Sequence, residues 1–382
     1  MYQILFVITV ILLAAYCLLI WIYRSWYLRL PLFRVDRQAV PVSSFSVIVP
    51  ARNEAENVQD CIRSVLGQHY PQALLEMIVI NDHSTDETEA LIREMQTIYP
   101  NLSLINLADH VNEHELNAYK KKAIEIAIGQ SKGEWIVTTD ADCQAGPEWL
   151  QAMDALIRQK APVFVAAPVM FTNDGRFLSL FQLLDFISLQ GITAAAVSAG
   201  YHAMCNGANI AYRKEAFEQV GGFKNIDQLA SGDDMLLMHK IKQAYPGRLE
   251  YLFCQEAIVT TPPMQRWKDF LNQRIRWASK ADSYRDRSIF WVLALVYALN
   301  LTMLCLLVAA PFAEKGWTNW LLLLLIKTLV EMGFMVPVAR FFGQEGALGW
   351  FPFMQPLHMI YTVAAGWLGK FGKYQWKGRK VH

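Results

Sequence analysis

The chain has 382 residues, 54% of them hydrophobic, and its 35 lysines and arginines balance 34 aspartates and glutamates to a net charge of +1. That balance excludes a globally basic nucleic-acid binder, and the length leaves room for one large domain or two. The hydrophobic fraction is high for a soluble protein and is gathered at both ends, while the six cysteines are scattered without a Cys-x-x-Cys, so neither a zinc site nor a disulfide framework is suggested and a reducing compartment fits.

Ile4 to Tyr23 is uncharged and about as long as a helix that spans a bilayer core. Trp21, Tyr23, Trp26 and Tyr27 form an aromatic belt at its end. A cleaved signal peptide needs a basic stretch before the apolar one and a small-residue cleavage site after it. Both are missing, so residues 1–24 are expected to be a retained anchor. Arg24, Arg29, Arg34 and Arg37 follow the span. The positive-inside rule then puts the amino terminus outside and the following domain in the cytoplasm.

Four apolar runs come next: Ser46 to Pro50, Met77 to Ile80, Leu102 to Leu107 and Trp135 to Thr139. Between them, Val58, Ile62, Val65 and Leu66, then Leu91, Ile92 and Met95, then Ala123, Ile124, Ile126 and Ala127 recur at helical spacing. Ser84 or Thr85 is expected to cap the second of these helices. Strands alternating with helices, on runs too continuous for a half-exposed sheet, argue a mostly parallel α/β sheet covered on both faces.

The fourth run ends in Asp140-Ala141-Asp142. In an extended chain residues two apart point the same way, so both carboxylates face one site just past the strand. Open α/β sheets bind ligands there, outside the carboxyl ends of the strands. Two hard oxygen ligands suit Mg²⁺ or Mn²⁺, ions that share their shell with substrate phosphates. A nucleotide diphosphate held through a metal is the first hypothesis; a polar strand end is the bland one. Arg52-Asn53-Glu54 and Asp82-His83-Ser84 also lie at strand ends, where one nucleotide could touch all three turns.

His110-Val111-Asn112-Glu113-His114 has the His-x-x-Glu-His pattern of one zinc peptidase class. With Val111 its one apolar residue, it reads as an exposed connector instead. Phe177 to Met204 is long and apolar, but spanning would separate Asp142 from Asp234 across the bilayer, so a packed or membrane-lying helix is expected. Ser231-Gly232-Asp233-Asp234 opens a helix, either as a cap or as the source of a general base. Trp267, Phe270, Leu271, Ile275 and Ala278 mark an amphipathic helix with Gln273 and Arg276 on its polar edge. Arg276 can grip diphosphate oxygens bidentately, and Trp277 offers a flat face to a sugar. Ile289 to Phe312 and Trp317 to Val338 read as membrane spans, the second carrying a Lys327–Glu331 pair on one face. Leu348 to Leu368 is a third apolar stretch, broken by Pro352 and Pro356 and expected not to cross fully. Five basic residues follow it, Lys370, Lys373, Lys377, Arg379 and Lys380.

Taken in order, Val49-Pro50-Ala51-Arg52-Asn53-Glu54, Asn81 to Asp86, Lys122-Ala123, Asp140-Ala141-Asp142, Gly207-Ala208-Asn209, Gly221-Gly222-Phe223, Gly232-Asp233-Asp234 and Gln273-Arg274-Ile275-Arg276-Trp277 resemble a family 2 glycosyltransferase with the nucleotide-diphospho-sugar transferase (GT-A) fold. Each motif alone is weak; the ordered set is specific. The resemblance implies a GT-A domain over residues 43–280, with a nucleotide-sugar half (43–145) and an acceptor half (146–280). Membrane helices over 288–370 and a basic tail, 371–382, follow it. It assigns Pro50, Arg52, Glu54, Asp82, Lys122, Asp140, Gln273 and Arg276 to the donor and Asp142 with Asp140 to Mg²⁺ or Mn²⁺. Trp277, Gly207 and Asn209 go to the acceptor, and Asp234, with Asp233 close behind, to the general base. The implied enzyme is an inverting hexosyltransferase that moves sugar from a nucleotide sugar, a UDP-sugar first among them, to a lipid or lipid-linked hydroxyl at a bacterial inner membrane. A processive polysaccharide synthase is the alternative within the family, and a non-catalytic membrane scaffold the alternative outside it.

Overall fold

The computed structural model describes residues 1–111, 118–202, 204–227, 232–279 and 287–371, with the backbone of 374–376 and 379–381. The His110 to His114 motif and Ser231 thus lie wholly or partly outside the described residues. Helix α1 (Tyr2–Leu28) precedes the alternation β1 (Phe45–Ala51), α2 (Val58–Leu66), β2 (Leu75–Asn81), α3 (Thr88–Gln96), β3 (Leu102–Asn106), α4 (Tyr119–Gln130), β4 (Trp135–Thr138). Then come β5 (Gln144–Ala145), α5 (Trp149–Lys160), β6 (Phe164–Ala166), β7 (Val169–Phe171), α6 (Phe177–Ser198), β8 (Ile210–Arg213), α7 (Lys214–Gln219) and α8 (Met235–Ala244). The last elements are β9 (Leu249–Tyr251), β10 (Val259–Thr261), α9 (Trp267–Ala278), α10 (Arg287–Ala309), α11 (Gly316–Phe341), α12 (Phe351–Phe371), β11 (Tyr374–Trp376) and β12 (Arg379–Val381).

These elements form two units. One comprises Pro31–Thr172 and Ala203–Pro262; the other comprises Met1–Leu30, Asn173–His202 and Pro263–His382. Residues 173–202 and 263–279 therefore belong with the helices at the chain ends, although the sequence reading grouped them with the 43–280 domain.

In the first unit the main sheet runs β3-β2-β1-β4-β8-β6-β9. β3, β2, β1 and β4 are mutually parallel, and β8 enters antiparallel to both β4 and β6. Val47, Ile48 and Val49 on β1 and Ile136 and Val137 on β4 are all buried, consecutive residues included, so both sheet faces are covered. α2 supplies part of that cover through Val58, Cys61, Ile62, Val65 and Leu66. The parallel register pairs Ala51 with Asn81, so the loops leaving β1 and β2 start side by side.

In the second unit α1, α6, α10 and α11 are, among the described residues, the helices long and apolar enough to cross a membrane. This fits the transmembrane helices expected around a GT-A domain. α6 differs from α1: 78% of its most apolar window is buried against 22%, which leaves α6 little surface for lipid. α6 packs on α1, α11 and α12. Gly191 permits the closest approach, since a Cβ there would lie 2.5 Å from Val338 Cγ2. The expected Lys327–Glu331 pair forms at 2.6 Å, with Gln355 and Tyr16 hydrogen-bonded to it.

Candidate active site

The loops after β1 and β2 are laced together. Asn53 Oδ1 accepts from the Thr85 N–H at 2.8 Å, the Asn53 N–H donates to Ser84 Oγ at 3.0 Å, and the Glu54 N–H donates to Thr88 Oγ1 at 2.8 Å. Asn53 and His83 take left-handed backbone (φ 51° and 53°), which Asn and His tolerate better than most residues. This lacing corrects the expected helix cap. Ser84 and Thr85 serve the neighbouring loop, and Asp86 accepts from the Thr88 N–H where α3 begins. Slight burial pushes the Asp86 carboxyl up, but hydrogen bonds from Thr88 and from the Ala55 N–H outweigh it and hold its pKa below the ordinary value.

Asp82 closes this cradle. Its side chain is 4% exposed, its Oδ1 lies 3.0 Å from His83 Nδ1 and 3.8 Å from Arg52 Nη1, and Arg52 also donates to the Asp82 carbonyl at 2.8 Å. Glu54 is half-buried and accepts from Asn57 Nδ2 at 3.0 Å, and Pro50 is half-buried on β1.

Past the end of β4, the carboxylates of Asp140 and Asp142 and the Cys143 thiol lie within 4.8 Å of one another. Burial, then the Asp142 and Asp140 charges, push the Cys143 thiol well up. The two carboxylates are hard oxygen donors and fit a divalent cation such as Mg²⁺ or Mn²⁺. Cys61, buried on α2, lies with its Sγ 3.6 Å from the Asp140 carbonyl oxygen.

The lysine at this centre is Lys120. Its Nζ is 2.7 Å from Asp140 Oδ1 and 3.3 Å from Asp233 Oδ2. Burial alone would lower its pKa, but Asp140, Asp233 and Asp234 outweigh that and raise it, so Lys120 is charged. Lys122, the lysine the sequence singled out, pairs instead with Glu125 at 2.8 Å, and Lys121 is buried against the Ile226 carbonyl. Part of the signal was present in the spacing. Ala123, Ile124, Ala127 and Ile128 set the inner face of α4, and that stripe admits Lys120 and Lys121 alike while it excludes Lys122.

Asp233 and Asp234 stand at the start of α8. Asp234 Oδ1 accepts from the Met235 N–H at 2.7 Å, and Oδ2 accepts from the Gly207 N–H at 3.0 Å. The helix-cap role therefore exists, and Gly207 serves it. A Cβ on Gly207 would sit 3.4 to 3.5 Å from both aspartates, and the Gly207 carbonyl accepts from Thr138 at the end of β4. Asn209 is fully buried; Trp149 Nε1 donates to its Oδ1, and its Nδ2 donates to the Pro168 and Ala257 carbonyls. It braces the fold beneath this loop.

Gln273, Arg276 and Trp277 lie on α9 in the other unit, each half-buried. Arg274, between them, is buried and places its guanidinium 4.2 Å from the Trp277 ring centroid.

Two family models match the chain: glycosyl transferase family 2 over residues 46–221 and glycosyl transferase family group 2 over residues 135–367, the latter well over half its length. The chain belongs to glycosyltransferase family 2. The chain is 28% identical over 217 residues, 57% of its length, to glycosyltransferase AglE of Haloferax volcanii, and the match spans 66% of that relative. It is 27% identical over 270 residues, 69% of its length, to a poly-beta-1,6-N-acetyl-D-glucosamine synthase of Staphylococcus epidermidis, spanning 60% of it. The chain thus covers less than two thirds of the length of these relatives. Its fold is similar to that of the mannosyltransferase PcManGT from Pyrobaculum calidifontis, solved with GDP-Man and Mn²⁺, at a TM-score of 0.64 and 21% identity over 94% of this chain and 99% of that one. The α/β domain is therefore the GT-A fold that the motifs implied.

Proposed function

We propose that the protein transfers a sugar, with inversion, from a nucleotide-diphospho-sugar to a hydroxyl of a lipid or lipid-linked acceptor at the cytoplasmic face of a bacterial inner membrane. The observation that carries this is the gathering of Asp140, Asp142, Lys120, Asp233 and Asp234 at one end of the parallel strands. Charge of both signs in one place suits a diphosphate and its counter-ion. The apolar helices make a membrane-borne acceptor the natural partner.

In this mechanism Asp82, Arg52 and Glu54, locked by the laced loops, hold the nucleoside. Asp142 and Asp140 hold Mg²⁺ or Mn²⁺, which when bound neutralises charge developing on the leaving diphosphate. Lys120 supplies a second positive charge there. Asp234 takes the proton of the acceptor hydroxyl as the new bond forms. Its two backbone hydrogen bonds, from Met235 and Gly207, fix its direction. The family motif alone assigns Gln273 and Arg276 to the donor and Trp277 to the acceptor.

The similarity to a polysaccharide synthase favours a second reading, a processive enzyme. Mass spectrometry of lipids from cells with and without the gene separates the two. A glycolipid one sugar shorter in the deletion supports single transfer, loss of a polymer supports the processive reading, and an unchanged lipid and polymer profile defeats both.

A further inference from the structure

The helical unit buries a second pair of charges, far apart in the chain. Asp185 on α6 and Arg274 on α9 form an ion pair, Oδ2 to Nη2 2.6 Å, with side chains 3% and 4% exposed. Tyr361 on α12 donates its hydroxyl to Asp185 Oδ1, and His358 Nε2, one turn earlier, is 3.7 Å from the same oxygen. The guanidinium also contacts two rings of its own helix, 4.9 Å from the Phe270 centroid and 4.2 Å from that of Trp277. Phe186, the neighbour of Asp185, lies 5.9 Å from the Trp277 ring at a tilt of 37°.

A buried ion pair is a poor way to hold two apolar helices together. Desolvating both charges offsets much of their attraction, and apolar residues of similar volume often do as well or better. What such a pair can supply is a single setting. The apolar contacts of α9, Phe270 and Ile275 among them, would tolerate a small rotation of the helix. A guanidinium held 2.6 Å from one carboxylate oxygen and set over an indole ring would not.

We propose that Asp185 is a positioning residue for sugar transfer: it fixes Arg274, whose guanidinium in turn fixes the ring of Trp277. One face of that ring is taken by Arg274, so the pair decides which face and edge remain for a sugar. The proposal rests on the acceptor role given to Trp277 above.

The test uses the full-length protein in nanodiscs, labelled with 5-fluorotryptophan, with the Trp277 resonance assigned by its loss in Trp277→Phe. Asp185→Leu/Arg274→Met removes both charges together and keeps the volume. Its thermal midpoint should hold, the Trp277 fluorine resonance should move or broaden, and kcat/KM for transfer into a membrane lipid extract should fall roughly 10²-fold, as expected for misplacement by about an ångström. Arg274→Lys keeps the charge but not the guanidinium over the ring and should give the same spectral change, so the test survives if the double variant does not fold. An unmoved, sharp Trp277 resonance in either folded variant overturns the proposal. A moved resonance with unchanged kinetics also overturns it, through the role of Trp277; Trp277→Ala with unchanged kinetics would identify that role as the failing part.

Discussion

Lys120→Met should tighten divalent-metal binding while weakening sugar transfer. Lys120 Nζ sits 2.7 Å from Asp140 Oδ1 and 3.3 Å from Asp233 Oδ2, so it partly neutralises a carboxylate that the metal would use. A unit charge pair at 4 Å is worth about 4 kcal/mol at an effective dielectric of ~20 and about 1 kcal/mol in water. The Lys120 side chain is 22% exposed and that of Asp140 40%, which moves the value toward the aqueous end. We take about 1–2 kcal/mol, or roughly 5- to 30-fold tighter Mn²⁺ once the competing cation is gone. Transfer should nevertheless fall roughly 10- to 100-fold, because a charge-assisted contact to the diphosphate is lost. Mn²⁺ titration by electron paramagnetic resonance on the purified protein reads the first effect, and initial rates read the second. Lys122→Met, whose lysine pairs with Glu125, is the control that should change neither. A folded Lys120→Met protein with unchanged or weaker Mn²⁺ affinity would refute the reasoning.

Asp234→Asn should keep donor and metal binding but lose transfer by roughly 10²–10⁴-fold, the usual worth of general base catalysis, while Asp233→Asn loses less; single-turnover rates with an active Asp234→Asn and a dead Asp233→Asn would reverse the assignment. Acid should destabilise the sheet unit through two carboxylates. Burial pushes Asp154 up, but the N–H groups of Ser43 and Val42, the Ser43 hydroxyl and Arg158 outweigh it, so its folded pKa is lowered, as is that of Asp86. A lowered folded pKa gives stability that is complete above the unfolded value of about 4 and is lost as pH falls through the folded one. The thermal midpoint should therefore hold from pH 7 to about 5 and drop below about 4, and Asp154→Asn should cost on the order of 2–3 kcal/mol at pH 7 and flatten that drop; a wild-type midpoint independent of pH down to 3 would contradict this.

Much of the sheet was legible because burial on both faces writes itself as unbroken apolar runs. Val47-Ile48-Val49 and Ile136-Val137 needed no partner to be recognised. The antiparallel entry of β8 was not legible. Ile210-Ala211-Tyr212-Arg213 is short, and burial does not encode strand direction. Asp140 and Asp142 stood out by their place just past a strand, but a turn closed by the Cys143 N–H on the Asp140 carbonyl brings them together, not the extended alternation expected, because β4 already ends at Thr138. Lys120 did not stand out, although the stripe of α4 admitted it, because adjacent lysines resemble a solvated surface. The partner of Asp185 was out of reach for another reason. Arg274 sits 89 positions away on a helix whose polar edge, Gln273 and Arg276, drew attention outward. Pairings across such distances depend on how whole helices pack, which no local period records.

The account rests on Asp142 serving a metal-assisted transfer from a nucleotide sugar. The most direct measurement incubates the purified protein in nanodiscs of membrane lipid extract with a panel of radiolabelled nucleotide sugars and counts label in the organic phase. The account predicts lipid-borne label from one donor class that depends on Mg²⁺ or Mn²⁺ and disappears in a folded Asp142→Asn variant. Undiminished label in excess EDTA, or from that variant, would contradict it.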